Sequence, residues 1–123
     1  MKRVLLLITM LFVLVFGAFA QSYQSMNNDD IAKILSKKNV QVVDVRTSQE
    51  YNSGHLPNAI NIDVNQPDFE TRIMVLKKKR PVVVYCRSGR RSKKAAQVMA
   101  AKGYQVYEMD KGYINWPGEK VMP

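Results

Sequence analysis

Residues 82–92 read Val-Val-Val-Tyr-Cys-Arg-Ser-Gly-Arg-Arg-Ser, an uncharged run that reaches a cysteine and passes into a basic loop. A short, continuous apolar run is typical of a central parallel strand, because such a strand is buried on both faces. Gly89 allows the chain to turn sharply after this strand. Residues 92–102 then predict a helix that ends at Gly103. The stretch is therefore a strand–loop–helix unit with the cysteine at its bend.

Short strands and helices alternate along the rest of the chain. Residues 40–45 and 104–109 predict two further strands, and residues 59–62 predict a shorter one. Helices are predicted over residues 27–38, 48–51 and 68–76, whereas residues 21–26 are polar and predict a loose segment. This alternation predicts an α/β fold with helices on both faces of a central, mostly parallel sheet of about five short strands. Residues 21–123 are long enough for one such domain.

The N-terminus has the pattern of a secretory signal peptide. A basic start at residues 1–3 precedes an uncharged apolar run at residues 4–20, which ends on Ala18-Phe19-Ala20. Because this small-x-small ending is typical of a cleavage site, residues 1–20 are predicted to be removed. We therefore expect an exported, periplasmic protein that begins at Gln21 and has no membrane segment after cleavage. The alternative is an uncleaved anchor, since about 17 apolar residues approach the length that spans a bilayer.

The charge is strongly basic, with 19 Lys and Arg against 10 Asp and Glu. Without Lys2 and Arg3, 17 basic residues remain, and the net charge of residues 21–123 is +7. Export argues against nucleic acid as the partner of this charge. A small anionic substrate or an anionic surface fits it better.

Cys86 is the only cysteine, so no disulfide forms within the chain. Because exported compartments often oxidise thiols, a single thiol there is either buried and inert or reactive. Arg87, Arg90 and Arg91 favour the reactive interpretation, since inert cysteines sit among apolar residues. Ligands bind at the carboxyl ends of parallel strands, where loop N–H groups and a helix N-terminus attract anions. We expect these groups to lower the pKa of the Cys86 thiol.

Three stretches resemble the signatures of the rhodanese family of single-domain sulfurtransferases. Residues 42–46 (Val-Val-Asp-Val-Arg), followed by Glu-Tyr and Gly-His-Leu-Pro-Asn-Ala-Ile-Asn-Ile up to residue 62, resemble the first signature. The loop from Cys86 resembles the second, and Gly112 with Trp116 resembles the C-terminal ending. The resemblance covers nearly all of residues 21–123 and is greatest to small exported members of the phage-shock type. Lys111 departs from the family, which usually has a glycine there.

The resemblance implies a thiosulfate sulfurtransferase. Cys86 would attack the outer sulfur of thiosulfate, release sulfite and hold the sulfur as a persulfide, which an acceptor such as cyanide removes. Six loop residues would bind the persulfide and the anionic donor: Arg87, Ser88, Gly89, Arg90, Arg91 and Ser92. Because the chain has no second cysteine, the thiophilic acceptor must come from outside it. We expect a monomer that needs no cofactor.

Two other functions remain open from the sequence. A persulfide carrier would deliver sulfur to a protein partner and turn over small donors poorly. A surface-binding domain would use its charge and would not need Cys86. A cysteine phosphatase does not fit, because its Cys-x5-Arg loop requires an arginine where Ser92 stands.

Three residues outside the loop are weaker candidates. Arg46 is expected to pair with Asp44 at a strand end and could also border the pocket. Lys111 could add positive charge at the mouth of the site. His55, the only histidine, is interpreted as structural, and no metal site is expected because it has no second histidine or further cysteine beside it.

Overall fold

The computed structural model describes residues 22–37 and 39–123, so the predicted signal peptide and Gln21 lie outside the described residues. The strands are β1 (Gln24–Met26), β2 (Gln41–Asp44), β3 (Ile60–Asn61), β4 (Val82–Tyr85) and β5 (Val106–Met109). The α-helices are α1 (Asn28–Lys37), α2 (Ser48–Asn52), α3 (Phe69–Arg72) and α4 (Arg90–Ala101). Single 3-10 turns cover Ile73–Val75 and Tyr113–Asn115. Within the described ranges, no helix has the length and apolar character needed to cross a bilayer.

The five strands form one sheet in the order β1-β5-β4-β2-β3, and every neighbouring pair is parallel. This confirms the predicted α/β architecture. β4 occupies the centre, and all four of its residues are buried, as the uncharged run predicted. Because all strands run the same way, their carboxyl ends lie at one edge, and Cys86 follows β4 at that edge.

Alternate residues of β4 face two separate cores. Val82 and Val84 lie with Cys86 in the core that also contains the buried side of α4. Val83 and Tyr85 lie in the opposite core, which α1 and Trp116 cover. The sheet is thus covered on both faces, because successive side chains of a strand point to opposite sides. Cys86 lies on the same side of the sheet as the helix that follows it.

The expectation that residues 21–26 are loose is wrong for β1. Gln24, Ser25 and Met26 pair with residues 107–109 of β5 and form an edge strand of the sheet. Gln24 and Ser25 are exposed, so the strand carries none of the apolar alternation that predicts a strand. Backbone pairing with β5 holds this edge strand in the sheet, and its polar side chains concealed it in the sequence.

Two helices differ from their predicted bounds. The helix predicted over residues 68–76 is α3 followed by a 3-10 turn, and Phe69, Ile73 and Leu76, the residue after that turn, are buried. The helix predicted from Ser92 begins two residues earlier, at Arg90, directly after Gly89 with a φ of 101°. The turn that the glycine allows is therefore tighter than predicted, and it places Ser92 in the first turn of α4.

Candidate active site

The sulfur of Cys86 lies in a nest of donors at the end of β4. The N–H of Gly89 donates to Sγ at 3.1 Å, and Ser92 Oγ lies 3.4 Å from Sγ. Burial raises the pKa of the thiol, but the hydrogen bond with the Ser92 hydroxyl and those from the N–H groups of Ser92, Gly89 and Ser88 outweigh it and lower the pKa. The loop therefore favours the thiolate, which is the nucleophilic form of cysteine.

Two glycines allow the cysteine loop to pack closely against the loop that follows β5. A Cβ on Gly89 would lie 2.0 Å from the carbonyl oxygen of Asp110, and one on Gly112 would lie 2.3 Å from that of Arg87. Both glycines have positive φ, at 101° and 69°, which other residues rarely adopt. The N–H of Tyr113 also donates to the carbonyl of Cys86 at 2.9 Å. These contacts fix the loop N–H groups before any substrate binds.

The three loop arginines have different surroundings. Arg87 and Arg90 are exposed and form no ion pair with residues 22–37 or 39–123. Arg91 is half-buried and donates two hydrogen bonds to the Glu50 carboxylate, at 2.7 and 2.9 Å. These bonds raise the pKa of Arg91, and the charge of Cys86 raises it further. The same bonds lower the pKa of Glu50 to about 2. Arg91 is thus held by Glu50, and its charge interacts with that of Cys86.

Glu50 was not predicted from the sequence as the partner of Arg91. Thr47 and Glu50 form a capping box at the start of α2, and this Thr-x-x-Glu pattern is visible in the sequence. The pattern predicts the cap but says nothing of an arginine 41 residues away. Glu50 therefore serves both the helix and the loop.

A cavity of about 490 Å³ lies beside the loop and is lined in part by Arg46, Glu50, Arg87, Tyr113 and Lys120. Arg46 is buried and pairs with Asp44 at 2.6 Å, which confirms the predicted pair. It also donates to the carbonyl of Gly54 and lies over the ring of Tyr113. Burial lowers the pKa of Arg46, but the hydrogen bonds and charge of Asp44 outweigh it and raise the pKa. Arg46 borders the cavity with its charge already compensated.

The sequence pattern of the rhodanese-like domain matches residues 27–119. The chain belongs to the rhodanese-like family. It is 31% identical over 96 residues to the thiosulfate sulfurtransferase GlpE of Shewanella oneidensis, with 77% of this chain and 93% of that protein covered. It is also 31% identical over 88 residues to the putative sulfur carrier protein YrkF of Bacillus subtilis, with 71% of this chain and 46% of the relative covered.

The fold of this rhodanese-like domain is shared with solved structures. A rhodanese-related protein from Thermoplasma volcanium superimposes with a TM-score of 0.74 at 24% identity, covering 82% of this chain and all of that one. The family and its single-domain fold, which the motifs predicted, are therefore confirmed.

Lys111 and His55 take different places in this rhodanese-like domain. Lys111 is exposed, with its Nζ 3.8 Å from the Asp110 carboxylate, in the loop that packs on the cysteine loop. Gly112, the next residue, is a glycine because its close contact with the Arg87 carbonyl leaves no room for a side chain. His55 stacks on Tyr51 with 3.9 Å between ring centroids. This contact fits the structural interpretation of the histidine.

One buried acid next to the rhodanese loop was not found from the sequence. Glu108 lies on β5, is fully buried, and accepts a short hydrogen bond from Ser92 Oγ. Its other oxygen accepts a hydrogen bond from Ser25 at 2.6 Å. The available signal was an acidic residue inside a strand that is otherwise apolar, because such a residue needs buried partners.

Proposed function

We propose that the protein is a thiosulfate sulfurtransferase that works through a persulfide on Cys86. The observation that carries this proposal is the sulfur at the end of β4, which accepts a hydrogen bond from Gly89 and has a lowered pKa. Membership of the rhodanese-like family supports sulfur transfer, and the name of the GlpE relative supports thiosulfate as the donor.

The proposed reaction has two displacement steps. The Cys86 thiolate attacks the outer sulfur of thiosulfate, so that a new S–S bond forms and the bond to the sulfonate sulfur breaks. Sulfite leaves with the electron pair of that bond, and the enzyme holds a persulfide anion. Cyanide then attacks the terminal sulfur, the persulfide S–S bond breaks, and thiocyanate leaves, which restores the thiolate. Another thiophile would remove the sulfur in the same way. Covalent catalysis of this kind gives ping-pong kinetics.

The loop supports both anionic states of this cycle. Its fixed N–H groups, among them that of Gly89, would hold the persulfide without reorganising, because the glycine contacts already set them. Arg91 is expected to attract the thiosulfate dianion, since it is bound to Glu50 at the wall of the cavity and its charge interacts with that of Cys86. Arg87 and Arg90 are exposed and would add a more diffuse attraction.

Replacement of Cys86 by serine tests the proposal. The protein is expected to form thiocyanate from thiosulfate and cyanide, and Cys86→Ser is expected to abolish it, because the thiolate is the attacking group. Thiosulfate treatment should add the mass of one sulfur to the wild type only. If the folded serine variant gains the same mass or retains turnover, Cys86 is not the sulfur acceptor.

A persulfide carrier is the second candidate, favoured by the similarity to the putative sulfur carrier YrkF. A carrier would also load one sulfur on Cys86 but would release it slowly to cyanide. Steady-state turnover separates the two functions, since only an enzyme turns over many equivalents of thiosulfate per thiol.

Export to the periplasm is a separate proposal, supported by the basic start, the apolar run and Ala18-Phe19-Ala20. Sequencing the N-terminus of protein from the exported fraction should give Gln21. Retention of Met1 on a membrane-bound form would instead support the anchor.

A further inference from the structure

Glu108 is joined to the nucleophile by a single hydroxyl group. The residue is fully buried on β5, and its Oε2 accepts a short hydrogen bond from Ser92 Oγ. The same Oγ lies 3.4 Å from Cys86 Sγ, within hydrogen-bonding distance of it. The other carboxylate oxygen of Glu108 accepts a hydrogen bond from Ser25. A continuous hydrogen-bonded chain thus leads from the thiol into the interior of the domain.

Ser92 has only one hydroxyl proton, so it cannot donate to both of its neighbours. When Ser92 donates to the Glu108 carboxylate, its oxygen is free to accept the proton of the Cys86 thiol. When Ser92 donates to a Cys86 thiolate, the short contact with Glu108 requires a proton on that carboxyl group instead. The charge of Cys86 and the charge of Glu108 are therefore linked through one hydroxyl.

We propose that Glu108 is a positioning residue that takes up the thiol proton of Cys86 through Ser92. The thiol proton moves to Ser92 Oγ while the Ser92 proton moves to Glu108 Oε2. The S–H and Ser92 O–H bonds break, and a new Ser92 O–H and a carboxyl O–H form. The total charge stays at one negative unit, which passes from the carboxylate to the sulfur. The thiolate is then ready for attack without losing a proton to solvent.

The charged groups around the Cys86–Ser92–Glu108 hydrogen-bonded chain favour opposite positions of the shared proton. Lys93 lies 3.4 Å from Glu108 Oε1 and favours the carboxylate, but its side chain is 42% exposed and is also bound to Asp110. Arg91 interacts with the charge of Cys86 and favours the thiolate. Because each end of the chain has a cation, neither position of the proton is excluded by charge alone.

The proposal predicts a distinctive dependence of thiol reactivity on pH. Two groups that share a proton lose their protons in two steps that belong to the pair. After the first proton is lost, the one that remains is on Glu108 in a fixed fraction of molecules, which therefore hold the thiolate, and on Cys86 in the others. Loss of the second proton converts these other molecules to the thiolate as well. The rate of alkylation should therefore rise, reach a plateau and rise again.

Alkylation of the full-length protein by iodoacetamide across the pH range tests this prediction. The wild type is expected to show two steps, and Glu108→Gln is expected to lose the lower step, because an amide keeps the shape but cannot take up the proton. Ser92→Ala should also lose it, which provides a second test if Glu108→Gln does not fold. Ser25→Ala is the matched control, since Ser25 contacts the same carboxylate on the side away from Cys86. It should retain both steps.

A single step in the wild type that Glu108→Gln leaves unchanged would overturn the proposal. Two steps in both proteins would also overturn it, because another group would then share the proton. Carbon-13 NMR of the Glu108 carboxyl gives a direct measurement, with two steps expected in the wild type and one in Cys86→Ser. The proposal rests on Cys86 as the nucleophile, but alkylation needs no thiosulfate. Failure of the sulfurtransferase assay would therefore not be confused with failure of this proposal.

Discussion

Two fully buried acids lie on the strands that flank the central strand, and the protein treats them differently. Asp44 on β2 accepts hydrogen bonds from the guanidinium of Arg46 and from the hydroxyl of Tyr85. Glu108 on β5 accepts hydrogen bonds from two serine hydroxyls, and its nearby cation, Lys93, is partly exposed. One acid is held by a buried cation, and the other is held mainly by neutral groups.

This difference indicates what each acid can do. The proton on Tyr85 is fixed, because burial and then the charge of Asp44 raise its pKa far above its usual range. Asp44 therefore keeps constant donors, and its role is to hold β2, β4 and the turn at Gly54 together. Glu108 has donors that can reorient, and one of them contacts the nucleophile. A buried acid without a buried cation is thus the better candidate for moving a proton.

The largest expected effect is the loss of stability in Asp44→Asn, and Glu108→Gln makes the same acid-to-amide change at the other position. Asp44→Asn should lower the free energy of unfolding by about 3–5 kcal/mol, because it leaves Arg46 buried without its counterion. Glu108→Gln should change it by less than about 1 kcal/mol, since an amide can still bond to both serines and removes a buried charge. Urea denaturation at neutral pH measures both values.

The contrast fails if the two variants lose similar stability. Arg46→Met combined with Asp44→Asn is the control for the first variant, because it removes the uncompensated cation as well. The double variant should recover part of the stability that Asp44→Asn loses. Equal losses in the single and double variants would show that the charge of Arg46 is not the cause.

The features that sequence predicted are local in the chain, and those it missed depend on pairing between distant elements. The strand, Gly89 and helix that hold Cys86 are consecutive, and Arg46 lies two residues from Asp44. By contrast, Ser92 and Glu108 are 16 residues apart and meet only because β5 lies beside β4. The pattern of apolar residues fixes which faces are buried but not which polar side chains meet on them.

A smaller effect, on the KM for thiosulfate, is expected at the loop arginines, because the charge of Arg91 acts on the site although Glu50 compensates it. Arg91→Ala should raise the KM for thiosulfate on the order of tenfold, because a hydrogen bond to a charged group contributes about 1.5–3 kcal/mol. It also leaves Glu50 as an unpaired negative charge beside the cavity. Arg90→Ala is the matched control, since Arg90 is exposed, and should change KM by less than about threefold.

Steady-state kinetics of these variants with thiosulfate and cyanide measure the effect. Adding Glu50→Gln to Arg91→Ala should lower KM again if repulsion by the carboxylate contributes to the loss. Equal KM values for Arg90→Ala and Arg91→Ala would contradict the assignment of Arg91 to the donor.

The smallest effect concerns Glu50, an acid of intermediate burial that completes the comparison. Its pKa is lowered to about 2, first by the hydrogen bonds from Arg91, so its carboxylate stabilises the folded state. A carboxyl group whose folded pKa is depressed contributes its full stability above its ordinary pKa of 4.5 and loses it as the pH falls toward 2. Because the pair is partly exposed, we expect Glu50→Gln to cost about 0.5–1 kcal/mol at pH 7.

Urea denaturation of the wild type and Glu50→Gln at several pH values measures this difference. Glutamine can keep the capping-box hydrogen bond with Thr47, so the comparison isolates the charge of Glu50. The difference should shrink as the pH falls below 4.5, because the wild-type carboxylate becomes protonated, and it should be smaller in the Arg91→Ala background. A difference that stays constant between pH 7 and pH 3 would assign the effect to packing. Glu50 would then act only as a helix cap, and Arg91 would owe its position near Cys86 to the loop.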